Sequence, residues 1–93
     1  MKQSQVNKSL RQIPGVGLSI SQDLVNIGIN DIKDLIDKDP GELYDLSNAY
    51  AGCVQDRCLL YVFRCAVYYA STPDSDHETE KLKWWNWKDQ PAK

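Results

Sequence analysis

Apolar side chains recur at spacings of three and four along most of the chain, which is the pattern of helices with one buried face. No stretch shows the sustained alternation of apolar and polar residues that is typical of strands. The spacing therefore predicts an all-α fold of four to five short helices. We expect them up to Gln12, from Leu18 to a closing Gly28, around residues 32–36, from Pro40 to about Asn48, and from about Val54 to Ala70.

Local signals mark where two of these helices begin. Asp39 is a good N-cap, Pro40 suits the first helical position, and Glu42 at the third position completes a capping box. Asn30 or Asp31 is expected to cap the helix before it. The residues expected to face inward after Asp39 are Leu43, Tyr44 and Leu46.

Residues 13–17, with the sequence Ile-Pro-Gly-Val-Gly, separate the first two predicted helices. Glycine adopts positive φ without a steric penalty, and proline disfavours helical structure at the residue before it. These five residues therefore predict a tight reversal of the chain.

The composition suits one domain, residues 1–93, because 42% of the side chains are hydrophobic and 26% are charged. Within it we distinguish a helical unit at 8–71, an acidic loop at 73–80 and a tryptophan-rich segment at 81–89. Trp84 and Trp87 are expected to pack on the helical unit, since a small core with one phenylalanine needs aromatic area. Trp85 is expected to be exposed.

Charge is distributed unevenly, although the net charge is only -2. Residues 1–18 carry three basic side chains and no acidic one, whereas residues 19–50 carry seven acidic and two basic side chains. The acidic balance argues against strong nucleic-acid binding through bulk charge. Any phosphate contact is therefore expected on the N-terminal side of the turn.

The three cysteines cannot all pair within the chain, and the N-terminus lacks the pattern of a secretion signal. These features predict reduced thiols and a cytoplasmic location. The longest apolar run is shorter than the roughly 18 residues that a membrane span needs, so no membrane contact is expected.

No arrangement of residues indicates an enzyme or a metal site. Cys58 and Cys65 would lie about 10 Å apart on one helix, too far to share a zinc ion, so buried small thiols are expected. His77 stands in an acidic loop, and neither a nucleophile elbow nor a phosphate-loop motif is present. We expect no catalysis, no metal and no cofactor.

Residues 10–46 resemble the helix-hairpin-helix superfamily. The matching signature is an apolar residue, Pro-Gly-Val-Gly, a small residue and a leucine, here Ile13, residues 14–17, Ser21 and Leu24. The resemblance implies that backbone amides of the turn and of the next helix bind a phosphate of a nucleic acid, which the partial positive charge of a helix N-terminus favours. The residues implied are Gly15, Val16, Gly17 and Ser19.

The rest of the chain resembles a narrower group, small bacterial pathogenicity-locus proteins, some of which are labelled mitomycin-resistance proteins. The likeness lies in Cys53 and in residues 56–58, 61–65 and 84–87. It implies a link to DNA damage or drug resistance, without a particular reaction.

Two sets of cations could accompany the turn. DNA-binding members of the superfamily usually carry basic residues where this chain has Ser19, Gln22 and Asp23, so charge would have to come from Lys8 and Arg11. Both could equally be solvated surface residues, and the turn a mere helix connector. The second set shares one stripe of the last helix, where it could grip a strand or simply line the helix edge. This set consists of Arg57, Tyr61, Arg64 and Tyr68.

The sequence thus favours a non-catalytic DNA-binding module whose partner is the phosphate backbone and which does not read base sequence. The alternative is a protein-interaction module with a purely structural hairpin. It would use Trp85 or the acidic face of residues 23–45 to bind a protein partner.

Overall fold

The computed structural model describes residues 9–87 apart from the side chain of Asp74, and three α-helices and four short 3-10 helices lie wholly within this range. We number the α-helices α1 (Leu18–Asn26), α2 (Pro40–Ala51) and α3 (Arg57–Ser71). The 3-10 helices are Ile32–Leu35, Asp74–Asp76, Thr79–Leu82 and Trp84–Trp87. No strand occurs within residues 9–87, so the all-α prediction is confirmed. Residues 9 and 10 are helical too, whereas the earlier part of the predicted first helix lies outside the described residues.

Helix α1 ends as its glycine predicts. Gly28 has a φ of 95°, and its amide donates to the carbonyl of Val25 at 3.1 Å. The amide of Ile29 donates to the carbonyl of Leu24 at 2.9 Å. This pair of bonds is the Schellman arrangement, in which a residue without Cβ lets the chain leave the helix.

The segment after α1 is capped by an aspartate pair. The Asp31 carboxylate accepts the amide of Ile32, and Asp34 accepts the amide of Asp31 at 3.2 Å. The short helix that follows is of the 3-10 type and ends at Leu35. Ile36, which the sequence placed in that helix, therefore lies beyond it and is exposed.

Helix α2 begins at Pro40, where the Asp39 carboxylate accepts the amide of Gly41 at 2.9 Å. It continues past the expected Asn48 to Ala51. The expectation that Leu46 faces inward is wrong, since its side chain is 53% exposed. Successive helical residues are rotated by about 100°. The buried stripe is centred elsewhere, because it consists of Leu43, Tyr44 and Ser47.

Helix α3 begins at Arg57, later than the expected Val54, because Asp56 caps it. The Asp56 carboxylate accepts the amide of Cys58 at 2.9 Å, which satisfies a donor of the first turn. Val54 precedes the cap and is 83% exposed. One side of α3 provides much of the core, including the fully buried Phe63.

The core joins the N-terminal turn to all three helices. Its largest fully buried apolar side chains are Leu10, Ile13, Leu24, Leu35, Phe63 and Cys65. Helix α3 packs against α2, against Ile32–Leu35 and against residues 79–87. We call residues 81–87 the C-terminal segment; its Trp84 packs against this core. Within residues 9–87, none of the helices has the length and apolar composition needed to cross a membrane.

Candidate functional site

The turn at residues 13–17 is anchored by two apolar side chains and by its own backbone bonds. Ile13 and Val16 are buried, and the amide of Val16 donates to the carbonyl of Ile13 at 3.0 Å. Gly15 between them has a φ of 89°, a conformation that residues with a Cβ rarely adopt. The burial of Ile13 and Val16 in the core and the bond between them therefore hold the turn in one conformation.

The residues that follow the turn, at the start of α1, are exposed to solvent. Gly17 is the N-cap of α1 and provides no side-chain cap, and Leu18 is 63% exposed. Within the described residues, the amides of Gly17, Leu18 and Ser19 donate to no other group. The first turn of α1 thus presents unsatisfied donors and the positive end of the helix dipole to whatever approaches.

The open amides differ at Val16 and Leu18 from the residues that the resemblance implied, and Gly15 contributes its positive φ to the turn. The amide of Val16 is already bonded to Ile13, and the residue is buried. The amide of Leu18, which the sequence did not single out, is open instead. The shape of this turn, which periodicity cannot predict, decides which amide is bonded within the chain and which is not.

Charge around the turn is mixed. Arg11 is exposed in the turn that leads to Ile13, whereas Lys8 lies outside the described residues. Asp23, one turn into α1, is partly buried, and this burial raises the pKa of its carboxyl. An ionised carboxylate at this position opposes a phosphate that approaches the turn.

The two arginines of α3 lie in different surroundings. Arg64 donates from Nη1 to the carbonyl of Trp87 at 2.8 Å, and its guanidinium lies 5.6 Å from the Tyr61 ring centroid. Tyr68 accepts the amide of Glu78 at 2.9 Å. Arg64 and Tyr68 thus hold the chain that follows α3. Arg57 is exposed at the first residue of α3.

Trp84 covers the inner edge of the turn, a contact that the sequence does not reveal. A Cβ built on Gly15 would lie only 2.8 Å from Cδ1 of Trp84. Position 15 therefore requires glycine for two reasons. Its φ is positive, and a Cβ there would collide with the indole of Trp84. Nothing in local spacing connects Gly15 with Trp84, because the two residues stand near opposite ends of the chain.

Cys65 lies beneath the same contact. Its Sγ is 3.4 Å from the carbonyl oxygen of Leu82, 3.6 Å from that of Lys81 and 3.9 Å from that of Pro14. The single proton of this weak donor thus lies within reach of carbonyl oxygens from both the turn and the C-terminal segment. Burial raises the pKa of the Cys65 thiol from 9.0 to about 11, so the proton stays on sulfur at neutral pH.

The other two thiols correct the sequence-based expectation that the cysteines are buried. Cys53 and Cys58 are both exposed, and only Cys65 is buried. Cys53 follows the end of α2, and Cys58 lies in the first turn of α3, before that helix enters the core. Within residues 9–87 no cluster of three or more metal-binding side chains occurs.

Alkaline pH is expected to destabilise the wild-type protein more steeply than a Cys65→Ala variant. Well below pH 9 the thiol is protonated in both the folded and the unfolded chain, so it adds no pH dependence to the free energy of unfolding. Between pH 9 and about 11 the unfolded chain releases the proton first, which favours unfolding. Urea titrations under reducing conditions across this range measure the slope. Cys53→Ala, which removes an exposed thiol, should follow the wild type; parallel slopes for wild type and Cys65→Ala would contradict this prediction.

A pocket of about 450 Å³ adjoins the turn, between α1, the start of α3 and Trp84. Its lining includes Gly15, Asp23 and Asp56. The bond from the Cys58 amide holds the pKa of Asp56 below its ordinary value, so this carboxylate is charged at neutral pH. The pocket therefore places two carboxylates beside the turn. The open amides belong to Gly17, Leu18 and Ser19, which do not line the pocket.

Comparison with known proteins gives one match over nearly the whole chain. A family model described as Cdd1, pathogenicity locus, matches residues 3–93. Comparisons with curated proteins and with solved structures gave no match.

Proposed function

The chain belongs to the Cdd1 pathogenicity-locus family, and from the geometry of its N-terminal turn we propose that it is a non-catalytic module that binds nucleic-acid phosphate. In this proposal residues 13–17 are the turn of a helix-hairpin-helix, and the C-terminal segment packed behind it is part of the same unit. The phosphate binds at the amides of Gly17, Leu18 and Ser19. No base is read, because a phosphate group is the same at every position of a strand.

The open N-terminus of α1 is the single observation that carries this proposal. Neighbouring amides of exposed residues that make no hydrogen bond within the described part of the chain, together with the helix dipole, favour an oxyanion at this position. The buried Ile13 and Val16 fix the turn before any ligand arrives, so little ordering entropy opposes binding.

Affinity is expected to be modest and to depend only weakly on salt. Arg11 and Lys8 are the basic side chains nearest in sequence to the turn, and Asp23 opposes them. With roughly one or two phosphates neutralised, the slope of log K against log salt would be about -1 to -2 for duplex DNA. A much steeper slope would place the binding surface elsewhere on the protein.

Gly17→Glu is expected to weaken binding to short duplex DNA at low salt by about tenfold or more. The new carboxylate would stand beside the amides that donate to the phosphate, and like charges repel strongly at short range. The variant should fold, because Gly17 has a φ of -95° and a Cβ there meets nothing within 4 Å. Fluorescence anisotropy of labelled duplex and single-stranded DNA measures the affinity.

Ala49→Glu is the matched control, since it adds the same charge to an exposed position of α2. It should bind as the wild type does. No wild-type binding at low salt, or equal loss in both variants, would overturn the proposal. The second candidate, a protein-interaction module, would then be favoured by its exposed apolar side chains, among them Tyr50 and the 50% exposed Trp85.

A further inference from the structure

The pocket beside the turn combines an apolar floor with two carboxylates. Ile20, Leu59 and Val62 form much of the floor, and Trp84 adds an aromatic ring. Asp23 and Asp56 contribute the charged groups. The volume of about 450 Å³ lies within the range of small-molecule sites.

The two carboxylates lack cationic partners in the described part of the chain. The ion pairs found there join Lys81 to Glu78 and Lys83 to Glu80, and none of these four residues lines the pocket. Asp23 is partly buried, and burial of a carboxylate without a counter-ion penalises its charged form. Asp56 remains charged, because it accepts the amide of Cys58. A cation that entered the pocket would relieve the penalty on Asp23.

The chemistry of the walls selects among possible ligands. The two carboxylates repel anions such as phosphate. A bare metal ion would make no favourable contact with the apolar floor. An organic cation satisfies both features, because its apolar body displaces water from Leu59 and Val62. Its charge would lie between the carboxylates, where the Trp84 ring also attracts cations.

We propose that this pocket is a binding site for a small organic cation, an amidinium or ammonium group carried on an aromatic or short aliphatic body. The bound cation contacts Asp23, Asp56 and Trp84. Gly17, Leu18 and Ser19, whose amides are proposed to bind phosphate, do not line this pocket. It does not depend on the phosphate-binding proposal, since a chain that bound no DNA would retain this pocket.

Benzamidinium and its neutral analogue benzamide are the probes that test this site on the full chain. Benzamidinium is expected to bind at least about tenfold more tightly than benzamide, the ratio that a favourable charge interaction of about 1.4 kcal/mol gives. Calorimetry measures the affinities. The location is read from the rate at which iodoacetamide alkylates Cys58 in a Cys53→Ser background, which should fall when benzamidinium is bound.

Asp23→Asn should lower the affinity for benzamidinium at least about fivefold, because it removes one carboxylate without changing the shape of the pocket. Asp45→Asn is the matched control, since Asp45 is exposed on α2 outside the pocket. Ile20→Lys, which brings a cation to the floor, should abolish binding while the circular dichroism spectrum stays helical.

Equal affinity for benzamide and benzamidinium would overturn the proposal. So would unchanged affinity in Asp23→Asn and Ile20→Lys, or full reactivity of Cys58 in the presence of bound benzamidinium. Binding of benzamidinium without any DNA binding would support this site and contradict only the phosphate proposal.

Discussion

Replacing Gly15 by alanine is expected to lower the free energy of unfolding by about 2–5 kcal/mol. Two costs add. A φ of 89° costs a residue with a Cβ about 1–2 kcal/mol. The Cβ would also lie 2.8 Å from Cδ1 of Trp84, so the indole or the turn must move, which costs about 1–3 kcal/mol more.

Gly28→Ala separates these two costs. Gly28 has a φ of 95°, but a Cβ there meets nothing within 4 Å, so only the backbone cost of about 1–2 kcal/mol remains. In a Trp84→Ala background, Gly15→Ala should cost no more than Gly28→Ala does in the wild type. Urea unfolding followed by far-ultraviolet circular dichroism measures all three losses. Equal losses for Gly15→Ala and Gly28→Ala in the wild type would show that Trp84 does not lie against the turn.

The second large effect is expected from Trp84→Ala, which should lower the free energy of unfolding by about 2–4 kcal/mol. Full truncation of a buried aromatic costs about 3–5 kcal/mol, and Trp84 is only partly buried. The loss has a specific origin, since the ring packs against the core and against Gly15 at once. The same urea titration measures it.

Trp85 provides a control of the same residue type at the next position. It is 50% exposed, and its ring meets Trp84 edge-on at 5.8 Å between centroids. Trp85→Ala should cost about 1 kcal/mol or less, the usual contribution of an aromatic pair. If both variants were destabilised equally, the core would extend to Trp85. If neither were, the C-terminal segment would contribute nothing to stability.

The helical periodicity of the sequence predicted the fold class, and glycine and capping residues predicted several boundaries. Gly28 ends α1, and Asp39 begins α2, because both signals act within a few residues of chain. The error at Leu46 has a different origin. Several apolar residues of α2 compete for a narrow buried stripe, and only the neighbouring helices decide which ones enter it.

The candidate site was predictable only in part. The glycine-rich sequence indicates a tight turn, and the helix after it indicates open amides, but local sequence cannot show that the amide of Val16 is already bonded. The likeness of Cys53 and residues 56–58, 61–65 and 84–87 to pathogenicity-locus proteins is confirmed by the family match over residues 3–93. The likeness did not foretell that Cys65 and Trp84 lie behind the turn. Contacts between distant parts of a chain have no periodic signature.

The contact between Gly15 and Trp84 has a consequence for the order in which the protein matures on the ribosome. Synthesis proceeds from the N-terminus, so the Pro-Gly-Val-Gly turn emerges long before the indole that packs on it. The carbonyls of Lys81 and Leu82 reach the Cys65 thiol equally late. A nascent chain, or one ended by a premature stop codon before Trp84, would contain every residue of the turn and α1. It would still lack the side chain that packs against Gly15, so this part of the fold cannot be completed before Trp84 has been synthesised.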